Sequence, residues 1–159
     1  MLSEPFTYDK NKVIQALRYH FITRVEIKFM IIFINVFAIA CAILFYTNII
    51  HPIPFIVSSL LWFILMIIFW FVMPFSIYKK EKTFRDEFRA SFTEEGFGIE
   101  NERASRSWAW PQFSSFLESP HFFHLYFNAR SFFLVPKEAR PGDEVHDVRN
   151  LLKEHITKN

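Results

Sequence analysis

FMIIFINVFAIACAILFYTNIIHPIPFIVSSLLWFILMIIFWFVMPFSIY, residues 29–78, contains no Asp, Glu, Lys or Arg in fifty consecutive positions. A soluble domain of this size could not bury so long an apolar run. The run is long enough to form two helices, each of which crosses a hydrocarbon core roughly 30 Å thick. Pro52 and Pro54 interrupt the run, because proline lacks the backbone donor that a helix needs. We therefore predict a transmembrane helical hairpin with spans at 29–50 and 55–78.

Basic residues flank this hairpin on one side only. Residues 1–28 contain five Lys or Arg, and Lys79, Lys80 and Lys82 follow the second span, whereas the loop between the spans has none. Lys and Arg accumulate on the cytoplasmic side of membrane proteins, so we predict a multi-pass protein with both termini in the cytoplasm. The three lysines after the second span are also predicted to contact anionic lipid.

Charge and cysteine usage exclude several classes of protein. The only cysteine, Cys41, lies in the first span, which excludes a disulfide framework and a cysteine-based zinc site. Residues 79–159 contain thirteen basic and thirteen acidic residues, so no basic face for nucleic acid is predicted. His121 and His124 fall on opposite faces of a strand, and no nucleophile or phosphate-binding motif is present. We predict no enzyme activity, no metal and no cofactor.

The pattern after the second span changes from helical to alternating, which predicts short strands. A turn at 93–96 should use Gly96 for an unusual backbone angle, and Pro111 should end a strand so that Trp110 is buried there. A final helix begins near Pro141, with acidic residues in its first turns. The six predicted strands are 84–92, 97–100, 104–110, 112–117, 121–127 and 131–135.

The segment before the hairpin is predicted to contain a short strand and an amphipathic helix. The strand, at 4–8, should pair with the cytoplasmic sheet, since an open sheet edge is a liability. The apolar stripe of the helix at 10–24 has two interpretations: it lies on the inner membrane surface, or it packs on the cytoplasmic domain. The predicted domains are thus 1–28, 29–78 and 79–159.

Several motifs stand out in the last part of the chain: FTEEGFGI at 92–99, Trp110 followed by Phe113, HFFHLYF at 121–127 before Arg130, and VPKEA at 135–139. In these motifs the chain resembles the YcxB-like membrane proteins, in which a two-helix anchor precedes a small cytoplasmic domain related to bacterial PH modules. The resemblance implies a cytoplasmic PH-like antiparallel β-sheet or split barrel, capped by a C-terminal helix, in the bacterial inner membrane. It identifies no catalytic residue.

The strands at 122–127 and 132–134 are apolar on both faces. Either both faces are covered within the chain, or one face meets another molecule. The second interpretation predicts a partner surface at Phe122, His124, Tyr126 and Phe132. We therefore expect a membrane-anchored docking module that binds a protein partner or itself. The alternative is an oligomeric pore or an accessory subunit of a transport complex.

One polar contact is predicted inside the hairpin. Pro74 cannot donate to the carbonyl of Trp70, and an unpaired carbonyl is costly in hydrocarbon. Counting along the spans places Asn35 at the same depth, so we predict that its amide donates to the backbone around Trp70. Asn35 has two alternatives, which are a bond to Ile31 of its own helix and a contact with Asn35 of a second copy.

Overall fold

The computed structural model describes residues 2–156 of the chain. It divides into two compact units, whose described residues are 2–16 with 82–156 and 17–81. The predicted N-terminal part, 1–28, is thus shared between the units. Met1 and residues 157–159, which the predicted domains include, lie outside the described residues.

The helical unit contains the apolar hairpin. Its first long helix is α2, Val25–Tyr46, and its second runs over Pro52–Lys80, a length of 29 residues. Both helices are long and apolar enough to span a membrane. The second helix contains one π-helical turn. The described helical elements are α1 (Lys10–Thr23), which is divided between the two units, α2, α3 (Pro52–Ile67), the π turn (Ile68–Val72), α4 (Met73–Lys80) and, in the other unit, α5 (Gly142–His155).

The loop of the hairpin lies earlier in the chain than predicted, at residues 47–51 instead of 51–54. α2 ends four residues earlier than expected, because Asn48 adopts a left-handed conformation with φ of 57°. The backbone N–H groups of Asn48 and Ile49 donate to Phe45 and Leu44 at 3.0 Å each, which is the Schellman pattern that closes a helix. α3 begins at Pro52 and not at residue 55, because the first N–H groups of a helix have no partner in the helix and proline is tolerated there.

The second unit contains six antiparallel strands, the number predicted. They form two sheets of three strands, in the orders β1-β2-β3 and β4-β5-β6, and α5 follows the last strand. The predicted strand at 84–92 is shorter than expected, because Lys82–Arg85 forms a 3₁₀ turn. The strands are β1 (Arg89–Phe92), β2 (Gly96–Glu100), β3 (Ser105–Ala109), β4 (Ser115–Glu118), β5 (Phe122–Asn128) and β6 (Ser131–Pro136).

Gly96 has a different role from the one predicted. No described glycine has a positive φ, so the unusual backbone angle expected at Gly96 is wrong. A Cβ at this position would instead lie 2.1 Å from the carbonyl oxygen of Trp108 on β3, so only glycine allows the two strands to approach. The burial of Trp110 is confirmed, with 3% of its surface exposed, although it begins a 3₁₀ turn and does not end a strand.

The N-terminal segment pairs with the first sheet, as predicted. The backbone N–H groups of Phe6 and Phe88 donate to each other's carbonyls at 2.9 and 3.0 Å, and Ser3 donates to Ala90 at 2.8 Å. Of the predicted stripe of Ile14, Leu17, Phe21 and Val25, Leu17 and Phe21 are buried, Ile14 is half-buried and Val25 is exposed, and the buried face also includes Val13, at 0% exposure, and Ala16. Since Val13 and Ala16 belong to the β-sheet unit, the start of α1 packs in that unit, which favours the second interpretation of the stripe.

Candidate functional site

An apolar groove of about 450 Å³ opens between the two sheets. It lies beside β3 and β6, which are edge strands of their sheets. Among its described lining residues, Arg106 is the only charged one. The lining consists of Thr83, Phe88, Ile99, Asn101, Ala104, Arg106, Trp108, Phe127, Ser131 and Phe133.

The floor of the groove is aromatic. The ring centroid of Trp108, on β3, lies 5.2 Å from that of Phe133, on β6, and 5.5 Å from that of Phe127, on β5. Trp108 is half-buried, so part of the ring remains accessible. The aromatic contacts therefore join the two sheets, while hydrogen-bonded pairing within each sheet ends at β3 and β6.

The free edge of β3 carries backbone groups that β2 does not use. Asn101 donates its N–H to the carbonyl of Ala104 at 2.9 Å, which fixes the register of this hairpin. In an antiparallel pair, successive residues of a strand direct their backbone groups alternately toward the partner and away from it. The N–H and C=O groups of Ser105, Ser107 and Ala109 therefore point away from β2, and this edge is suited to the addition of another strand.

A second cleft, of about 500 Å³, lies next to the groove, at the start of β1 and the end of β2, and is polar. It shares Phe88 and Asn101 with the groove. Its charged lining residues are Asp86, Glu87, Arg89, Glu100, Glu102 and Arg103. Four carboxylates and two guanidinium groups line this cleft, which therefore lacks the aromatic floor of the groove. We place the candidate site in the apolar groove.

The predicted partner surface is wrong for three of its four residues. Phe122, His124 and Tyr126 are buried, with at most 4% of their surface exposed, and Phe132 is half-buried. The Nε2 atom of His124 lies 2.9 Å from the hydroxyl of Ser119. The burial of Phe122, His124 and Tyr126 shows that these positions are covered within the chain, which is the other interpretation of the strand that is apolar on both faces.

The predicted contact between Asn35 and Trp70 is not formed. Asn35 donates its amide to the carbonyl of Ile31 at 2.7 Å, one of the alternatives, and its Oδ1 accepts the indole N–H of Trp62 at 3.2 Å. Asn35 does join the two helices, but at Trp62. The predicted alignment of the two helices is wrong by eight residues. Because α3 begins at Pro52, Trp62 and not Trp70 lies beside Asn35.

The carbonyl of Trp70 receives a different donor. Pro74 removes the ordinary helical N–H, and the helix widens to a π turn in which Met73 donates to Ile68. The Nε of Arg18 donates to the Trp70 carbonyl at 2.8 Å. Sequence reasoning missed this bond because Arg18 lies 52 residues earlier in the chain.

The three lysines predicted to contact lipid follow the hairpin directly. Lys79 and Lys80 end α4, Lys82 begins the next turn, and all three are exposed. The Nζ of Lys79 lies 5.4 Å from the ring centroid of Phe75. Contact with anionic lipid stays a prediction for these residues.

An ionic cluster fixes α5 on the second sheet. The carboxylate of Glu118, on β4, accepts hydrogen bonds from Arg149 at 2.7 Å and from Lys137 at 2.8 Å. The bond from Arg149 and the charge and bond of Lys137 lower the pKa of Glu118 to about 2, although burial opposes the shift. This carboxylate is therefore ionised and structural. Among residues 2–156, no group of three or more His, Cys, Asp or Glu could hold a metal ion.

The architecture defines a class of protein: a small domain of two antiparallel sheets and a helix, in a chain that also carries an apolar two-helix hairpin. Residues 92–152 match the family model described as YcxB-like protein. This confirms the resemblance for the segment that runs from the end of β1 into α5. No curated protein and no solved structure matches the chain.

Proposed function

We propose that this protein is a membrane-anchored docking module. The hairpin inserts into the bacterial inner membrane with both termini in the cytoplasm, and the two sheets with α5 form a PH-like split barrel. Two apolar helices flanked by basic residues support the insertion, and the N-terminal segment, which pairs with Phe88 and Ser91 through isolated β-bridges, supports the barrel.

The occupant of the groove is an extended peptide segment of a partner protein. It pairs with the free edge of β3 and places alternate side chains on Trp108 and Phe133. The observation that carries this proposal is the combination of an unpaired strand edge with an aromatic groove beside it. Because Arg106 and Trp108 are two residues apart on β3 and so share a face, the peptide has an acidic side chain two residues from an apolar one.

A charge reversal tests this docking mode on the full chain in detergent. The probes are synthetic peptides with Glu and an apolar residue at positions i and i+2, and the same peptides with Lys in place of Glu. The wild-type protein should prefer the acidic peptides, and Arg106→Glu should reverse the preference. Arg89→Glu is the matched control, since Arg89 lines the polar cleft and not the groove, and it should leave the preference unchanged.

A second variant tests the strand edge. Ser107→Pro removes an N–H that points away from β2, so the fold should tolerate it while peptide binding is lost. If Ser107→Pro binds peptide as the wild type does, or if Arg106→Glu keeps the acidic preference, the docking mode is wrong. If the protein forms a large oligomeric ring in detergent, the pore is supported instead. Against the pore, the polar side chains of Asn35, Thr47 and Ser58 already have hydrogen bonds within the hairpin.

A further inference from the structure

A guanidinium group is fixed against the widened turn of the second long helix. Beyond the bond from its Nε to the Trp70 carbonyl, the Cζ of Arg18 lies 5.1 Å from the ring of Trp70 and 5.4 Å from the ring of Phe71. Cation–π contacts and a hydrogen bond together hold the planar group in one orientation. Arg18 therefore has little conformational freedom to lose when it binds a ligand.

The register of the hairpin places this group at one end of the apolar stretch. Asn35 lies beside Trp62, and Trp70 follows eight residues further along the second long helix, in its π turn. Since the helices are antiparallel with the same rise per residue, Trp70 is level with about Ile27 and Lys28 on α2. Lys28 is the last charged residue before the fifty uncharged ones, so Arg18 lies at the boundary between hydrocarbon and headgroups.

No residue between 2 and 156 supplies a counter-ion to the rest of the guanidinium. Among the described residues, Arg18 makes no ion pair, and its only hydrogen bond uses Nε. Arg24, in contrast, has a carboxylate partner, since its Nε lies 3.8 Å from Glu26. The two terminal nitrogens of Arg18 thus present a planar fork, which matches the paired oxygens of a phosphate.

We propose that Arg18, positioned by the Trp70 carbonyl, binds the phosphate of an anionic membrane lipid. The rings of Trp70 and Phe71, which are 46% and 58% exposed, form an apolar wall beside the fork, on which the glycerol and the start of the acyl chains lie. The adjacent apolar wall and the depth of the site favour a lipid over free phosphate. The proposal rests on the membrane insertion proposed above, but not on the peptide groove.

The test compares variants of the full chain in nanodiscs of phosphatidylcholine and phosphatidylglycerol in equal amounts. After detergent extraction, native mass spectrometry measures the ratio of the two lipids that remain bound. Arg18→Gln should lower the retained phosphatidylglycerol about fivefold, the effect of one basic residue near an anionic surface. Arg24→Gln removes the same charge from an arginine that already has a partner, and it should retain the wild-type ratio.

Two further arms complete the experiment. Arg18→Lys keeps the charge but loses the planar fork that binds the phosphate, so it should retain less phosphatidylglycerol per protein than the wild type, and it serves if Arg18→Gln does not fold. Inorganic phosphate added before extraction should not displace the bound lipid. Displacement would show that the site takes soluble phosphate, and an equal loss in Arg18→Gln and Arg24→Gln would show a general charge effect. Either result overturns the proposal.

The outcome is separable from that of the proposed function. If the wild-type chain does not associate with nanodiscs at all, the insertion is wrong and the lipid site falls with it. If all variants insert and retain the same lipid ratio, only the lipid site is wrong.

Discussion

At the scale of single residues, two side chains anchor the β-sheet unit by different means. The indole N–H of Trp110 donates to the carbonyls of Thr93 and Glu94 at 3.2 and 3.0 Å, and its ring stacks on His155 at 5.5 Å. Trp110 therefore joins the first hairpin to the end of α5. Glu118 makes the corresponding polar link between β4 and α5.

Trp110→Ala should destabilise the protein by about 3–5 kcal/mol, because it removes a buried aromatic ring and leaves a cavity. Trp108→Ala is the control, since Trp108 is only half-buried and should cost less. Denaturant unfolding followed by circular dichroism measures both. Equal losses of stability would contradict the assignment of Trp110, and not Trp108, as the core anchor.

Glu118→Gln should lower the free energy of unfolding at neutral pH by about 1.5–3 kcal/mol, the worth of a hydrogen bond to a charged group. Since the pKa of Glu118 falls from 4.5 to about 2 on folding, its contribution is complete above 4.5 and is lost as the pH falls toward 2. Wild-type and variant stabilities should therefore converge over that range in a pH series of unfolding curves. A difference that persists unchanged in acid would mean that the carboxylate charge is not responsible.

At the scale of elements, one side-chain hydrogen bond links the N-terminal segment to β6, and another links the two long helices. The hydroxyl of Tyr8 donates to the carbonyl of Leu134, on β6, at 2.8 Å, and burial raises the pKa of Tyr8. Trp62 and Asn35 make the equivalent link between the long helices. Each bond fixes the position of one element relative to another element that is distant in the sequence.

Tyr8→Phe should destabilise the β-sheet unit by about 1–3 kcal/mol, because the buried carbonyl of Leu134 loses its donor. Tyr19→Phe removes a hydroxyl from a residue that is 40% exposed and should change stability little. Thermal unfolding of both variants, with a deletion of residues 2–8 beside them, measures the effect. A deletion as stable as the full chain would show that the pairing of this segment contributes nothing.

Asn35→Leu and Trp62→Phe should be coupled in a double-mutant cycle, by roughly 0.6 kcal/mol and at most about 1.7, as for polar contacts between membrane helices. Asn35→Leu and Pro74→Ala should instead be additive, because Asn35 does not share a partner with Trp70. Unfolding in detergent gives the four free energies of each cycle. Coupling to Pro74 without coupling to Trp62 would restore the register first predicted from the sequence.

At the scale of the whole molecule, the features that sequence reasoning found are those carried by contiguous patterns. Fifty uncharged residues predict the hairpin, and alternation predicts the strands. The groove joins Ile99, Trp108, Phe127 and Phe133, which come from four strands and share no local pattern. Their proximity depends on long-range pairing, so the sequence predicts the partner surface elsewhere, at Phe122, His124 and Tyr126 on β5, which are buried, and at Phe132 on β6.

The central claim is that the hairpin anchors the β-sheet unit on the cytoplasmic side of a membrane. A reporter enzyme that is active only outside the cytoplasm tests it most directly, when fused after Asn159 and, separately, inserted in the loop at His51. We predict an inactive fusion at Asn159 and an active one at His51, because all flanking Lys and Arg lie on the side of the termini. The opposite pattern, or an inactive reporter at both positions, would contradict the account.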